Sequence, residues 1–307
     1  MKTLHLQHPV QQGGFDPSVC ALGFFDGVHR GHQQVIQTAI DKARESGVHS
    51  AVMTFDPHPK EVLRGIDAGY ITLLHEKEAL CRDMGVDLFY VVRFDERFAS
   101  LTPQQFVDQF ILGLSITHVT AGFDYTFGQK GRGTMETFSF HSRGKVTSTT
   151  VDKFEEKGEK ISSTAVRRAL EEGNVPAAAD ALGRLHSVTG TVVEGEKRGR
   201  TIGFPTANVQ VPRKKLLPAD GVYAVKLMAE GKEYAAVANI GSKPTFHEDH
   251  PQTLEVHVFD FDQDLYGKAV TVSFIDWVRG EKKFDSLEGL KAQIQADAEK
   301  ARTIAAD

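Results

Sequence analysis

The stretch Ala21-Leu-Gly-Phe-Phe-Asp-Gly-Val-His-Arg-Gly-His32 predicts a strand, a tight turn and a helix, in that order. Residues 19–25 form an apolar run that suits a buried strand, and the Asp-Gly pair that follows breaks it. Apolar residues at helical spacing come next, and they are Val35, Ile36, Ala39, Ile40 and Ala43. His29 and His32 therefore lie at the start of a helix, where unpaired N–H groups and the helix dipole favour an anion.

The two histidines allow three interpretations at this point. They could be surface residues, or metal ligands, or groups that bind a phosphate. A zinc site needs a third ligand, and the surrounding sequence contains no cluster of Cys or Asp. Gly31, between the histidines, would allow a phosphate to approach the backbone closely.

The length and composition indicate a two-domain protein of a reducing compartment. At 307 residues the chain is long enough for two domains, and its net charge of −5 gives no general attraction to nucleic acid or to acidic membranes. Cys20 and Cys81 are the only cysteines, so a disulfide framework is not expected and the cytoplasm is the natural setting. The first residues lack the apolar core of a signal peptide, and no run approaches the ~18 apolar residues of a membrane span.

Strands and helices alternate over the first 185 residues. This pattern predicts an α/β domain with a parallel sheet covered on both faces, and a ligand at the carboxyl ends of the strands. The predicted strands are residues 19–25, 51–55, 88–94, 118–121 and 146–151, and the predicted helices are residues 33–46, 76–84, 102–113 and 163–172.

Two further motifs follow predicted strands. The Asp-Pro-His-Pro sequence at residues 56–59 is either a rigid turn or part of a ligand site. Glycines surround Phe123, Tyr125 and Phe127, which favours a mobile, solvent-facing loop whose aromatic rings could stack on a planar ligand. The alternative is that these aromatic side chains belong to the core.

Residues 161–168, Ile-Ser-Ser-Thr-Ala-Val-Arg-Arg, are expected to open another helix. Ser162 or Ser163 would cap it, and Arg167 would lie one turn further on the same face as Ser163. The segment is either a second anion site or an ordinary capped helix with surface arginines.

After residue 186 the composition changes to short β-rich runs, which predict a small antiparallel barrel. The predicted strands are residues 188–193, 206–211, 222–228, 233–240, 253–259 and 270–274. A final helix over residues 285–301 begins at a capping box, Asp285-Ser-Leu-Glu288, and is expected to pack against the barrel through Leu287, Leu290 and Ile294.

Two strings in this half contain candidate chemical groups. Thr206 and Asn208, after a glycine-rich basic turn, offer hard oxygen donors that suit Mg²⁺ bridging phosphates. Glu255 alternates with His257 and Phe259 onto one strand face, where it is either a general base or an ordinary strand-surface residue. No Gly-x-x-x-x-Gly-Lys-Ser/Thr string, the P-loop motif, occurs in the sequence.

Taken together, these strings resemble the prokaryotic bifunctional riboflavin kinase/FMN adenylyltransferase family, often called FAD synthetase, over nearly the whole chain. The histidine turn, the aromatic loop and Ile-Ser-Ser-Thr are similar to its adenylyltransferase half. Pro205-Thr-Ala-Asn208 and the strand with Glu255 are similar to its kinase half. The resemblance implies a Rossmann-like nucleotidyltransferase domain over residues 1–186 and a riboflavin kinase barrel with a C-terminal helix over residues 187–307.

The resemblance also implies roles for individual residues. Glu255 would be the base of the kinase, and His29 and His32 would stabilise charge in adenylyl transfer, with Mg²⁺ as cofactor and ATP as co-substrate. Riboflavin, FMN and FAD are the implied ligands, with no nucleic acid or membrane partner. Implied adenylyltransferase ATP contacts are Gly23, Phe24, Asp26, Gly31, Ser162, Ser163, Thr164 and Arg167, and implied flavin contacts are Asp56, His58, Asp124 and Phe127. Implied kinase contacts are Gly199, Gly203, Pro205, Thr206 and Asn208 for ATP, Thr206 and Asn208 for the metal, and Arg279 and Phe284 for flavin. Because the kinase implied by the resemblance has no P-loop motif, its expected phosphate loop is the turn at residues 195–203.

A different class of function remains open beside this one. The chain could be an adenylyltransferase alone, whose barrel only binds flavin as a regulatory module. Such a module needs none of Thr206, Asn208 and Glu255, so their joint presence favours a working kinase.

Overall fold

The computed structural model of the protein describes residues 1–11, 13–66, 69–156, 159–195, 203–242 and 252–306. The chain divides into two compact units, Met1–Ser163 and Thr164–Asp307. The domain boundary at residues 186 and 187 stays a prediction. In the structure the helices between residues 163 and 182 lie mainly in the second unit.

A parallel sheet forms the centre of the first unit, as the alternating pattern predicts. Its six strands in the described residues follow the order β1-β4-β3-β2-β5-β8, and every neighbouring pair is parallel. The strands are β1 (Lys2–Leu6), β2 (Ser18–Leu22), β3 (His49–Asp56), β4 (Leu88–Arg93), β5 (Ile116–Gly122) and β8 (Thr147–Val151). The first of these was not predicted, because its five residues are only half-buried at the edge of the sheet.

Helices cover this sheet, and several are shorter or less regular than predicted. They are α1 (Arg30–Ser46), α2 (Pro59–Arg64), α3 (Leu74–Asp83), α4 (Glu96–Ala99), α5 (Pro103–Phe106) and α6 (Met135–Ser142). The helix predicted over residues 102–113 begins as α5 and continues as a π-helical segment, Val107–Leu112. Small antiparallel pairs join β6 (Thr126–Phe127) to β7 (Gly133–Thr134), and β9 (Glu155–Glu156) to β10 (Glu159–Lys160).

Helix α1 shows how the local sequence produces the fold beside the histidines. Its buried residues are the apolar stripe expected from the 3.6-residue period, and they pack with the sheet residues Val19 and Ala21. The helix ends at Gly47, whose φ of 65° lies in the left-handed region that favours glycine. The two ends of α1 are therefore set by local capping residues, His29 at the start and Gly47 at the end.

The second unit contains the predicted closed antiparallel barrel, and two helices precede it that were expected to belong to the first domain. The helices are α7 (Ser163–Glu171) and α8 (Val175–Leu182). The barrel strands follow the order β11-β12-β15-β14-β13-β16. They are β11 (Ser187–Val193), β12 (Ala207–Gln210), β13 (Gly221–Ala229), β14 (Lys232–Ser242), β15 (Gln252–Val258) and β16 (Ala269–Arg279).

The last helix, α9 (Leu287–Ala306), packs against the barrel, but not through the predicted stripe. Leu287 is 52% exposed, whereas Ala298 and Ala301 are buried against Val222 and Val237 of the barrel. Alanine methyl groups allow the helix to approach the strands closely. The predicted capping box was also misplaced, because the hydroxyl of Ser286 accepts the N-terminal hydrogen bond from Gly289 N at 3.1 Å.

The described helices include none that is both long enough and apolar enough to span a membrane. Cys20 and Cys81 are both buried free thiols.

Candidate functional site: a histidine turn and a polar barrel face

The histidine turn lies where β2 ends and α1 begins, at the carboxyl edge of the sheet. His29 is the N-cap of α1, and its Nδ1 accepts a hydrogen bond from His32 N at 3.3 Å. The two imidazole rings stack with centroids 3.5 Å apart, and His32 also meets the Phe25 ring edge-on at 5.3 Å. Because His29 is only 6% exposed, the surface interpretation of the pair does not hold. Within the described ranges, no group of three or more His, Cys, Asp or Glu side chains could hold a metal ion.

The electrostatic environment keeps His32 neutral. Burial is the main cause, and the positive charges of His29 and Lys77 add to it, so the pKa of His32 lies well below its usual value of 6.5. Among the described residues the Nδ1 atom of His32 is buried and has no hydrogen-bond partner. A buried polar atom without a hydrogen bond costs free energy unless a ligand or a water molecule supplies the missing partner. The ring is therefore suited to a hydrogen bond with a bound phosphate oxygen.

Two residues predicted as ATP contacts have clear structural roles in the turn. The Oδ1 atom of Asp26 accepts hydrogen bonds from Ile71 N at 3.0 Å and Thr72 N at 3.2 Å, so this buried carboxylate ties the turn to the segment before α3. A Cβ atom at Gly23 would lie 2.8 Å from the Phe25 ring. Gly23 is therefore needed for packing, and ATP contact at either position stays a prediction.

Phe24 and His58, predicted for different ligands, meet in the structure. Their ring centroids are 4.2 Å apart. His58 caps α2, and its Nδ1 accepts a hydrogen bond from Lys60 N at 3.0 Å. The cap fixes the backbone of this segment, in agreement with the interpretation of residues 56–59 as a rigid turn. The exposed Asp56 ends β3 at the same edge of the sheet. The sequence placed these groups on one edge, and the register of β2 and β3 brings them together.

Lys77 is a neighbour of the turn that sequence reasoning missed. It lies on α3, is 2% exposed, and its Nζ donates to Phe24 O at 2.6 Å and to Thr54 Oγ1 at 3.0 Å. The same ammonium lies 4.2 Å from the centroid of the Phe24 ring. A lysine four residues into a helix usually marks a solvated face, so nothing in the local pattern distinguished it.

The aromatic loop after β5 differs from its prediction. Phe127 is 4% exposed and packs in the core against Phe106 and Phe138, so the expectation that it faces solvent was wrong. Pairing of β6 with β7 folds this residue inward. Phe123 does remain 46% exposed, beside Asp124, whose carboxylate pairs with Lys160 at 3.1 Å. A flavin contact by Asp124 or Phe127 stays a prediction.

The predicted second anion site begins beside the histidine turn. The hydroxyl of Ser163 donates to the backbone oxygen of Asp26 at 2.9 Å, which ties the first residue of α7 to the turn. Ser162 immediately precedes that helix, and Thr164 and Arg167 open the second unit. Their contact with a triphosphate stays a prediction. A Cβ at Gly31 would lie 3.3 Å from the His29 ring, so the turn is tight around this position.

The candidate kinase groups lie on the outer face of the barrel, on three neighbouring strands. Glu255 on β15 is directly opposite Asn208 on β12 and, on its other side, opposite Asn239 on β14. Directly opposed residues of antiparallel strands share a face, with Cβ atoms about 4.5–5.5 Å apart. The strands' alternate residues Leu254 and Val256 are buried inside the barrel. Asn239 completes a row of polar side chains that only the strand register reveals.

The segment leading into β12 is held against this row. Pro205 O is 2.7 Å from the imidazole Nδ1 of His257, the residue two positions after Glu255. Gly203 has a φ of 90°, in the left-handed region, and a Cβ at Gly195 would lie 2.1 Å from the Asn208 amide nitrogen. The backbone conformation thus favours glycine at Gly203, and Gly195 lies close to the Asn208 side chain, whereas Gly199 lies outside the described residues.

A cavity of about 100 Å³ opens beside Thr206 at one end of the barrel. Apolar and polar groups contribute about equally to the surface of its lining. The lining residues are Val192, Pro205, Thr206, Ala207, Val256, Val258, Phe261, Gln263, Asp264, Leu265 and Tyr266.

Arg279 forms an ion pair with Asp297 in the same unit. Its Nε lies 2.9 Å from Asp297 Oδ2 and its Nη2 lies 2.8 Å from the same oxygen, and Asp297 is 5% exposed on α9. Phe284 lies near the guanidinium, with 5.8 Å between Cζ and the ring centroid. The ion pair fixes α9 to the end of β16, and flavin binding by Arg279 and Phe284 stays a prediction.

Each of the two units matches a known protein family. A family model described as FAD synthetase matches residues 12–165, and one described as riboflavin kinase matches residues 182–305. A bifunctional riboflavin kinase/FMN adenylyltransferase of Bacillus subtilis is 46% identical over 98% of this chain and 97% of its own length. The chain belongs to this bifunctional family.

Further similarities agree with this membership. A relative from Listeria monocytogenes with the same description is 44% identical over 99% of this chain and 98% of its own length. A solved structure from Streptococcus pneumoniae, described as a macrolide-efflux protein, matches with a TM-score of 0.91 and 38% identity over 98% of each chain. The resemblance stated from the histidine turn and the barrel strings is therefore confirmed, and so is the predicted fold.

Proposed function

We propose that this chain phosphorylates riboflavin to FMN on the barrel and then joins FMN to the adenylyl group of ATP in the parallel-sheet unit, releasing pyrophosphate. The observation that carries the proposal is the presence of two separate groups of candidate residues, the histidine turn in the first unit and the row with Glu255 on the barrel. The stacked histidine pair suits adenylyl transfer, and an in-register carboxylate and amide suit phosphoryl transfer. Neither site requires a P-loop, the phosphate-binding motif that the sequence lacks.

In adenylyl transfer, an oxygen of the FMN phosphate attacks the α-phosphorus of ATP, and the bond to the pyrophosphate oxygen breaks. His29 and His32 stand at the N-terminus of α1, where the positive end of the helix dipole also favours phosphate. We assign to the histidines the stabilisation of charge on the α-phosphate, with no covalent intermediate. Ser162, Ser163, Thr164 and Arg167 are proposed to hold the rest of the triphosphate.

In phosphoryl transfer, we assign to Glu255 the role of general base. Its carboxylate takes the proton of the ribityl 5′-hydroxyl while that oxygen attacks the γ-phosphorus and ADP leaves. The outer barrel face is open enough for this substrate, because Glu255 and Asn208 are both only partly buried.

The oxygen donors beside Glu255 fit a magnesium ion. Asn208 supplies an amide oxygen and Thr206 a hydroxyl, two hard ligands that would leave Mg²⁺ most of its water and its contacts with ATP. When bound there, Mg²⁺ would neutralise charge on the transferring phosphate groups. Thr206 and Asn208 orient these phosphates next to the carboxylate of Glu255.

The cavity beside Thr206 is proposed to receive the adenine ring of the kinase ATP. Its lining combines apolar side chains with polar groups, as a site for a flat, nitrogen-containing heterocycle does, and Pro205 and Thr206 connect it to the oxygen donors at the start of β12. The phosphates of a nucleotide seated there would extend toward Asn208. The predicted ATP contacts at Gly203 and Pro205 are consistent with this path.

The alternative, a barrel that only binds flavin, is less well supported. A binding module has no use for a carboxylate placed between two amides on neighbouring strands, which is the position of Glu255. We also propose a cytoplasmic location, in keeping with the two free buried thiols. Riboflavin, FMN, FAD and ATP are the proposed ligands, and we propose no nucleic-acid or membrane partner.

One assay tests the proposed function. Purified protein is incubated with riboflavin, ATP and Mg²⁺, and the flavins are separated by chromatography over time. FMN should form first and FAD should follow. A parallel reaction that starts from FMN should yield FAD and pyrophosphate. Formation of FAD from FMN, but no FMN from riboflavin, would favour the flavin-binding alternative for the barrel.

A further inference from the structure

Lys77 is a buried charged group beside the histidine turn that neither reaction uses directly. Lysine is almost never fully buried unless its ammonium is paired. Here the ammonium donates to Phe24 O at 2.6 Å and to Thr54 Oγ1 at 3.0 Å, while Thr54 Oγ1 itself donates to Phe24 O at 2.8 Å. These three groups join α3, β3 and the first residues of the turn. Thr54 is itself fully buried, so water does not compete for these contacts.

The surroundings of the ammonium connect it to the histidine pair. Asp26 in the turn and Asp56 at the end of β3 favour its charged form, and so does Cys81 on its own helix. On α1, the charge of Lys77 helps to keep His32 neutral. The turn, β3, α3 and α1 thus each contribute a group that interacts electrostatically with Lys77.

We propose that Lys77 is a positioning residue for adenylyl transfer: its ammonium holds the Phe24 carbonyl against Thr54 and thereby fixes the turn that presents His29 and His32 to the triphosphate. The inference rests on the proposed function of that turn. Lys77 acts through the backbone and need not touch ATP. Its loss should therefore lower turnover more than it weakens ATP binding.

The charge of Lys77 gives this role a pH dependence. Burial lowers the pKa of Lys77 to about 8, although Asp26, Cys81 and Asp56 act in the opposite direction. The ammonium is present below about pH 8 and is lost as the pH rises further, so FAD formation should decline there. The titration of Lys77 does not itself favour unfolding in this range. Between about pH 8 and the unfolded pKa of 10.5 only the unfolded chain binds the proton, and the titration therefore raises stability.

The experiment measures FAD formation from FMN and ATP by the full-length protein between pH 6.5 and 9.5. Three variants are compared with the parent: Lys77→Met, Thr54→Val, and the control Lys145→Met, which removes an exposed lysine of the same unit. Thr54→Val keeps the shape but removes an acceptor of the ammonium, so the alkaline decline should move down by about one pH unit. Lys77→Met should lose about 10²-fold in kcat at pH 7, with KM for ATP within a few-fold, and should lack the decline. The control should match the parent.

The outcomes separate this inference from the proposed function. No FAD from the parent protein at any pH would overturn the proposed function and this inference with it. FAD formation without a decline near pH 8, or with the same decline in Thr54→Val, would overturn the inference alone. A folded Lys77→Met protein with parental kcat would do the same, since a purely structural lysine changes the melting temperature but not turnover. Should Lys77→Met fail to fold, the shift in Thr54→Val decides by itself.

Discussion

The two candidate sites are built in different ways. The candidate adenylyltransferase site is a local turn, in which the buried His29 and the half-buried His32 are three residues apart and stack on each other. The candidate kinase site is a row across three strands, in which Asn208, Glu255 and Asn239 meet only because the barrel register opposes them. The first is enclosed and held by buried hydrogen bonds, whereas the second lies on a partly open face.

This difference indicates how each site should respond to change. The histidine turn is held in place by hydrogen bonds of buried residues such as Lys77 and Asp26. Its geometry and the protonation of its histidines therefore depend on the packing of the core. The barrel face depends on strand register, which the whole barrel maintains, so single side chains there can be replaced with little effect on the fold. Predictions that affect one site and spare the other test this contrast.

The largest effect is expected from Glu255→Gln. Glutamine keeps the shape and hydrogen-bonding reach but cannot accept the proton, so the rate of FMN formation should fall by about 10²–10⁴. Riboflavin affinity should survive, because the loss is in the chemical step. The measurement is steady-state kinase turnover, with Glu233→Gln on the exposed part of β14 as a matched control. FAD formation from supplied FMN should hardly change. Kinase turnover within a few-fold of the parent would make Glu255 a strand-surface residue.

His32→Ala should have the converse effect. Removing this charge-stabilising group should lower FAD formation by about 10²–10³ or more, close to background, while FMN formation from riboflavin stays near normal. Both rates are measured on the same preparation. If a folded variant lost both activities together, the division of the two sites between the units would be wrong.

The third prediction concerns where the barrel unit begins. Residues 187–307 alone should fold and phosphorylate riboflavin, but residues 164–307 should be more stable by about 3 kcal/mol or more, since they keep buried side chains such as Leu170. In this unit Ala219 N donates to Leu170 O at 2.9 Å, and Trp277 packs closely on Gly173. Denaturant unfolding of both fragments gives the difference.

A single substitution serves as a control for the fragments. In the longer fragment, Gly173→Ala should lower stability, because a Cβ there would lie 2.3 Å from the Trp277 ring and the φ is 73°. Equal stability of the two fragments would mean that the helices before residue 187 contribute nothing to the barrel, and that the boundary at residues 186 and 187 divides the protein better.

The smallest effect is on stability at acid pH. Unfolded His32 titrates near 6.5, whereas the folded ring stays neutral far below that value, so only the unfolded state gains the proton as the pH falls through 6.5. The first unit should therefore lose about 1 kcal/mol of stability between pH 7.5 and 5.5 because of this residue. Burial also lowers the pKa of His118, so this residue adds to the loss of stability of the first unit at acid pH.

The contribution of His32 is obtained by comparison with His32→Asn. This variant should show a smaller difference between the melting temperatures at pH 7.5 and pH 5.5, while the part due to His118 remains. An unchanged difference would mean that His32 is protonated in the folded protein, contrary to its buried environment.

The sequence alone determined the class of both units and the candidate chemical groups in each. Periodicities of 3.6 and 2 predicted the α1 helix and the barrel strands, because each element buries one face and exposes the other. Short motifs, in which the functional residues are close along the chain, predicted the histidine pair and the Thr206–Asn208 pair. In both cases the physical cause is local, so it can be read without knowledge of distant residues.

Only the tertiary structure decided which distant groups meet. The burial of Phe127, the alanine face of α9, the row that includes Asn239 and the contact of Lys77 with the Phe24 carbonyl all depend on packing between elements far apart in sequence. A lysine on a helix has the same local pattern whether it faces water or a carbonyl group. Its environment, and therefore its pKa and its role, is set by the elements that pack around it, and the chain's local sequence carries no direct sign of them.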